Sequence, residues 1–297
     1  MKEGKFSGIL VANVTPFDED GDVEFEYLAG VVRFLLEKGV HGFFTCGTSG
    51  EGALMSIEQR KAVSEAIIDE VAGRVPVIVH AGAITTDKTV ALAKHADDIG
   101  AQAVGVVSPY YFHPDLEGLV EHYRAVAEAI SIPVFVYNIP GCTGFNIDPN
   151  TMRRLLEIEN VIGFKDSSGG LGQIQEIMRT APKPIIAING SDGLLFSALM
   201  IGADAQISGS ANVVPELMVG IYEHVRKGEY KKALNLQNTW REAVRVVFSM
   251  RLPSASLKTA LELRGVKAGI PKRPLRPMKA EEVLVLKEKL RALNLFW

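Results

Sequence analysis

The chain is poor in cysteine, with only Cys46 and Cys142, and their placement matches no metal-ligand spacing. A disulfide framework and a zinc site are therefore not indicated. It lacks a field of one sign: 32 basic residues stand against 35 acidic ones, for a net charge of −3. Nothing here would hold a nucleic-acid backbone. The one basic cluster, Lys272-Arg273-Pro274-Leu275-Arg276-Pro277, is interrupted by prolines and reads as a surface connector. No apolar run reaches the roughly 20 residues that cross a bilayer. The charges at Lys2, Glu3 and Lys5, with no apolar run behind them, argue against a signal peptide. The expectation is a soluble, cytoplasmic protein without membrane or nucleic-acid partners.

What is present is repetition. At 297 residues and 47% hydrophobic, the chain can bury a large core. One unit recurs: a short apolar strand, a Gly- or Ser-containing loop, an amphipathic helix, a glycine, and the next strand. The spacing predicts strands at Gly8–Val14, Gly42–Cys46, Val77–Ala81, Ala103–Val107, Val134–Tyr137, Val161–Phe164, Ile185–Ile188 and Ala205–Ile207. Their uniform apolarity is that of strands covered on both faces. Leu28, Val31, Val32, Leu35 and Leu36 make a helical stripe closed by Gly39, and Ser56 with Gln59 forms a capping box.

Eight such units with right-handed crossovers close most naturally into a (β/α)8 barrel, the TIM-barrel class, over residues 1–228. An open doubly wound sheet is the alternative. The first strand, however, runs into Asn13-Val14-Thr15-Pro16-Phe17 rather than a Gly-x-Gly-x-x-Gly turn. Residues 229–297 read as an extension of three helices packed on the barrel, at Tyr230–Ser249, Leu257–Arg264 and Ala280–Leu293. No Gly-, Ser- or Pro-rich linker sets them apart.

In a barrel the loops after the strands share one face, where function collects. Lys165 closes the sixth apolar stretch and opens Asp166-Ser167-Ser168-Gly169-Gly170. A lysine there can simply snorkel to water. Held at the rim of a core, its desolvated amine is instead a candidate Schiff-base nucleophile. After strand two, Gly47-Thr48-Ser49-Gly50-Glu51 offers hydroxyls and backbone N–H groups suited to a carboxylate, or is only a turn. Tyr110, Tyr111 and Tyr137 add proton-transfer groups, though Tyr137 could equally be a core tyrosine. Cys46 reads as core and Cys142 as pocket lining, reactive only if its thiol is activated. His41, His80 and His95 read as structural; His113 is better placed to touch substrate or a neighbouring subunit.

Four motifs in order, Gly-Thr-Ser-Gly-Glu at 47–51, Pro-Tyr-Tyr at 109–111, Tyr-Asn-Ile-Pro at 137–140 and Gly-Phe-Lys-Asp-Ser-Ser-Gly at 163–169, give the chain a resemblance. It is similar throughout to the class I, Schiff-base pyruvate aldolases and synthases that include dihydrodipicolinate synthase, N-acetylneuraminate lyase and 2-keto-3-deoxygluconate aldolase. The resemblance implies that Lys165 condenses with pyruvate or a pyruvate-derived 2-oxo acid, and that Tyr137 is the general acid/base. It further implies that Thr48 and Ser49 bind the carboxylate and relay protons, and that Tyr111 completes the relay from a neighbouring subunit of a homotetramer, a dimer of dimers. Gly47, Gly190 and Ile207 would line the pyruvate site, and Cys142, Thr143, Ser167 and Asp192 the substrate pocket. Neither cofactor nor metal is expected, since the imine itself is the electron sink.

The match departs at the acceptor end. Synthases place an arginine where Cys142 stands, and a thiol cannot replace a bidentate guanidinium. Ile57, Arg60, Ile84 and Lys88 occupy positions that hold lysine as a feedback inhibitor in that branch. Asp192 precedes Gly193, so half of the Asp-Glu pair of N-acetylneuraminate lyases is missing. The expectation is a lyase or aldolase joining pyruvate to an aldehyde or cleaving a 2-keto-3-deoxy sugar acid. The alternatives are a dihydrodipicolinate synthase using aspartate semialdehyde, and a non-catalytic 2-oxo-acid-binding barrel. A phosphate site at Asn189-Gly190-Ser191-Asp192-Gly193 is disfavoured by the charge of Asp192.

Overall fold

The computed structural model describes residues 4–294. Eight parallel strands lie in chain order and close on themselves, β1 pairing with both β2 and β8. They are β1 (Gly8–Val11), β2 (Gly42–Thr45), β3 (Val77–His80) and β4 (Ala103–Val107), then β5 (Val134–Asn138), β6 (Val161–Asp166), β7 (Ile186–Asn189) and β8 (Ala205–Ser208). Helices α1 (Phe25–Glu37), α2 (Ile57–Val71), α3 (Thr86–Asp98) and α4 (Leu116–Glu128) connect the first five strands. The one-turn α5 (Pro140–Thr143) and α6 (Pro149–Leu156) follow β5, α7 (Leu171–Thr180) follows β6, α8 (Leu195–Met200) follows β7, and α9 (Pro215–Arg226) follows β8. The molecule is a (β/α)8 barrel.

Strand alternation divides the core in two. Val11, Phe43, Val79, Val106, Val136 and Phe164 point outward into the helix layer. Leu10, Phe44, Ile78, Phe135, Ile188 and Ile207 point inward and fill the barrel. Each such side chain, fully buried, contributes about 1.5–3 kcal/mol. The helices start where their caps dictate: Ser56 Oγ accepts from Gln59 N–H at 3.1 Å, and Asp115 and Asp148 cap α4 and α6. Such caps stabilise by about 1 kcal/mol each.

Several boundaries differ from expectation, among them the start of the second C-terminal helix, which lies at Pro253 rather than Leu257. β1 stops at Val11 because the Asn212 side chain intervenes, its amide donating to Ala12 O (2.8 Å) and its oxygen accepting from Val14 N–H (3.1 Å). β5 and β6 run longer, pairing Asn138 with Asp166, so Lys165 lies within the ladder rather than just past it. Pro140 starts the short helix α5 where a loop was expected, its missing N–H costing nothing in a first turn.

Beyond Gly228 lie α10 (Tyr230–Val247), α11 (Pro253–Leu263) and α12 (Ala280–Ala292). Their anchors reach the rim of the barrel where the strands end. Trp240, fully buried, donates its indole N–H to Asp192 O at 2.8 Å, and the Gln237 oxygen accepts from Phe196 N–H at 2.8 Å. Lys258 of α11 is buried against Glu51 at 2.7 Å. No helix among the described residues is long and apolar enough to cross a membrane.

Candidate active site

Lys165 sits in β6 between Tyr137 of β5 and Ile188 of β7, and its inward side chain is only 4% exposed. Its Nζ lies 3.9 Å from the Tyr137 ring centroid and 4.3 Å from that of Phe44. Two aromatic faces thus hold the amine, and no carboxylate pairs with it among the described residues. Phe44 can take this position because its neighbours lack side chains. A Cβ on Gly47 or Gly105 would lie 2.7 or 2.5 Å from its ring. Gly47 therefore serves by making room.

Around the lysine the strand ends supply polar groups. Thr48 Oγ1 lies 3.4 Å from the Tyr137 hydroxyl. Ser49 sits against Gly209, where a Cβ would approach its Oγ to 2.3 Å. Gly190 follows β7 and faces Ser167 and Lys165: a Cβ there would come within 2.0 Å of Ser167 Oγ and 3.0 Å of Lys165 Cε. Ile207 points into the barrel, as expected. Behind Lys165, Asp166 accepts from the Asn138 and Gln173 side-chain amides (2.8 and 2.7 Å) and from Ser168 N–H (2.8 Å), which fixes the end of β6.

A cavity of about 330 Å3 opens beside this cluster. Thr48, Tyr137, Cys142 and Thr143 line it, together with His80 and Tyr110, and Pro253, Ser254 and Leu275 of the C-terminal segment close one side. Cys142 is exposed on α5; partial burial pushes its thiol up, with the charge of Lys165 opposing, so it is no activated nucleophile. Thr143 spends its hydroxyl on its own turn, its one proton within reach of Phe145 O (2.9 Å) and Ile139 O (3.1 Å). Asp192 turns toward Ser210, whose hydroxyl and N–H donate to it, and burial holds its carboxyl above the usual range.

Tyr111, expected to act in a neighbouring subunit, is 81% exposed, with φ of 74°, and stacks edge-on against Phe112, so the chain does not bring it to its own Tyr137. One placement differs from expectation. His80 lies inside the barrel, because the alternation that turns Ile78 inward turns His80 inward too; its ring meets Tyr137 at 5.9 Å, edge to face. The period-two pattern of β3 carried that signal. His41 and His95 serve packing and pairing, through Ile9 N–H and Glu65. His113 bonds Thr143 O at 2.8 Å and so steadies the loop after β5. Cys46 is core, its Sγ beside Ser64 and Arg60 O.

A buried lysine at a barrel strand end, flanked by a tyrosine hydroxyl and a Thr-Ser loop, defines a carbonyl-condensing lyase class. Comparison with known proteins agrees. The model of the dihydrodipicolinate synthetase family matches residues 5–293, and the chain belongs to that family. It is 39% identical over 290 residues to 4-hydroxy-tetrahydrodipicolinate synthase of Archaeoglobus fulgidus, covering 98% of this chain and 99% of that protein. The Desulfotalea psychrophila enzyme of the same name is 38% identical, covering 98% of both. Among solved structures, a catalytic lysine mutant of Ruminococcus gnavus sialic acid aldolase superposes with a TM-score of 0.94 at 28% identity, covering 99% of this chain and 98% of that one. Dihydrodipicolinate synthase DapA-2 of Bacillus anthracis gives 0.92 at 32%, covering 98% and 99%.

Proposed function

We propose that the protein joins pyruvate to an uncharged aldehyde, or cleaves the corresponding 2-keto-3-deoxy acid, through an imine on Lys165 and without metal or cofactor. The observation that carries this reading is the Lys165 amine, buried between the Phe44 and Tyr137 rings with no carboxylate pairing among the described residues. The amine adds to C2 of pyruvate and water leaves, forming the protonated imine. Loss of a C3 proton gives the enamine, whose C3 attacks the aldehyde carbon while the new oxygen takes up a proton; hydrolysis then frees the product and the amine. Tyr137 moves these protons, with Thr48 as its relay at 3.4 Å. Ser49, Ser167, Gly190 and Ile207 surround the pyruvate end. Tyr111, turned outward here, would complete the relay in a neighbouring copy of a homotetramer located in the cytoplasm.

The uncharged acceptor follows from the lining of the cavity, where Glu51 is the one charged residue and is held by Lys258. The names of the curated relatives favour a second reading, condensation with aspartate semialdehyde. Comparing kcat/KM for pyruvate with aspartate semialdehyde and with glyceraldehyde separates the two. Pyruvate with borohydride should add one adduct by intact mass, absent in Lys165→Ala. No adduct with pyruvate or another short 2-oxo acid would sink the proposal.

A further inference from the structure

We propose that His80 is the specificity-determining residue for the acceptor, with Nε2 reading a hydroxyl of the aldehyde beside its carbonyl. The inference rests on the imine reading above and names the class of acceptor that site takes. Several observations converge on this one atom.

The δ side of the ring is spoken for. Nδ1 lies 3.2 Å from Cys46 O and 3.3 Å from Arg60 Nη2, and the same guanidinium nitrogen donates to His80 O at 2.5 Å. Arg60 Nη1 donates to Gly82 O at 3.0 Å, so one buried cation from α2 clamps the end of β3 on either side of Ala81. This fixes the ring plane and leaves Nε2 as the free end. Nε2 is buried and without a hydrogen-bond partner in the protein. It lies close to where a Gly82 Cβ would stand, at 3.0 Å, and both residues line the cavity. Most buried side-chain nitrogens are hydrogen-bonded, and of the two buried histidines with an unpartnered Nε2 among the described residues, His80 and His122, only His80 lines this cavity. It has a partner for a single nitrogen; the other is buried without one, in a residue whose ring lines the cavity beside Tyr137.

The chemistry of the ring selects the ligand. Burial, with Arg60 and Lys165 nearby, holds the imidazole well below its ordinary range, so it is neutral through the working pH. A neutral Nε2 offers a lone pair or an N–H according to tautomer, and a hydroxyl answers either because it both donates and accepts. A carboxylate gains much less from a neutral ring, since a charged acceptor is held best by a cationic donor. The Tyr137 ring, in contact with both His80 and Lys165 Nζ, places this hydroxyl reader one ring away from the reacting amine. That spacing suits an oxygen adjacent to the carbon under attack.

The test compares glyceraldehyde with propanal, which has the same carbon chain without hydroxyls, each condensed with pyruvate. The wild-type protein should prefer glyceraldehyde in kcat/KM by a factor on the order of 10 to 100 beyond the ratio of His80→Leu. His80→Gln, which keeps a polar tip, should retain part of the preference. His80→Phe conserves the bulk of the ring and carries the same comparison if His80→Leu does not fold. Intrinsic aldehyde reactivity cancels because the same two aldehydes meet every variant. A ratio unchanged in both apolar variants, with pyruvate still trapped by borohydride, overturns the role of His80 alone. Absence of the wild-type adduct overturns the imine reading and this inference with it.

Discussion

The buried pair Glu51–Lys258 lets a single perturbation test how the C-terminal helices support the site. Glu51 ends the loop carrying Thr48 and Ser49, in a left-handed conformation with φ of 59°. Lys258 belongs to α11, and both side chains are 1% exposed with 2.7 Å between them. Lys258 also donates to Ile270 O at 2.8 Å, and Glu51 accepts from Lys272 N–H at 2.6 Å. The pair therefore ties three segments together. Burial brings the Lys258 ammonium down to about 8, with Glu51 opposing, so the ammonium is still charged at pH 7.

Removing one partner strands the other charge in a dry interior, which costs about 3–5 kcal/mol. Glu51→Gln and Lys258→Met should each destabilise by that amount. The double variant leaves no unpaired charge and places a thioether over Phe17, where Nζ now lies 4.7 Å from the ring. Its loss should fall well short of the sum, giving a coupling of roughly 2–3 kcal/mol or more. Denaturant midpoints at pH 7 and fixed protein concentration measure this, provided the slope m is unchanged. Both single variants should also lower kcat/KM, since the loop bearing Thr48 loses its anchor. Single losses below about 1 kcal/mol, or strict additivity, would refute the reasoning.

Gly190→Ala places a methyl 2.0 Å from Ser167 Oγ and 3.0 Å from Lys165 Cε, so pyruvate trapping should slow by about tenfold or more. Adding Ser167→Gly, which vacates that space, should restore part of the rate; trapping unaffected by Gly190→Ala would show the contact to be slack. Buried His122, beside Thr86 Oγ1, has its imidazole brought down from 6.5 to about 4 by burial. A group depressed in the folded state stabilises above 6.5, and that stability is lost as pH falls from 6.5 toward 4. The full interval is worth about 3 kcal/mol, so His122→Gln should flatten the fall in unfolding free energy over that range. Parallel pH profiles for the two proteins would count against it.

Much of the barrel was legible because its causes are local. Short apolar strands, glycine-ended helices and caps such as Ser56 with Gln59 act within a few residues. The boundary error at β1 arose where a distant residue intervenes. Asn212 ends β1 by taking the bonds of Ala12 and Val14, and no local pattern near Val11 announces it. Two neighbours of Lys165 and its cavity that the sequence did not single out as site residues share that cause. Phe44 matters because of Lys165, and His80 because of Tyr137 and Arg60, partners that lie on other strands or helices.

The sequence by itself determined the repeating βα order, the rim on which the motifs gather, and Lys165 as the amine among them. These depend on periodicity and on motif order along the chain. Only the tertiary structure decided what each side chain faces. It turned Tyr111 outward, consumed the Thr143 hydroxyl in its own turn, locked Glu51 to Lys258 and left His80 Nε2 without a partner in a residue that lines the cavity. Such outcomes depend on which strands become neighbours when the barrel closes, and closure is a property of all eight together.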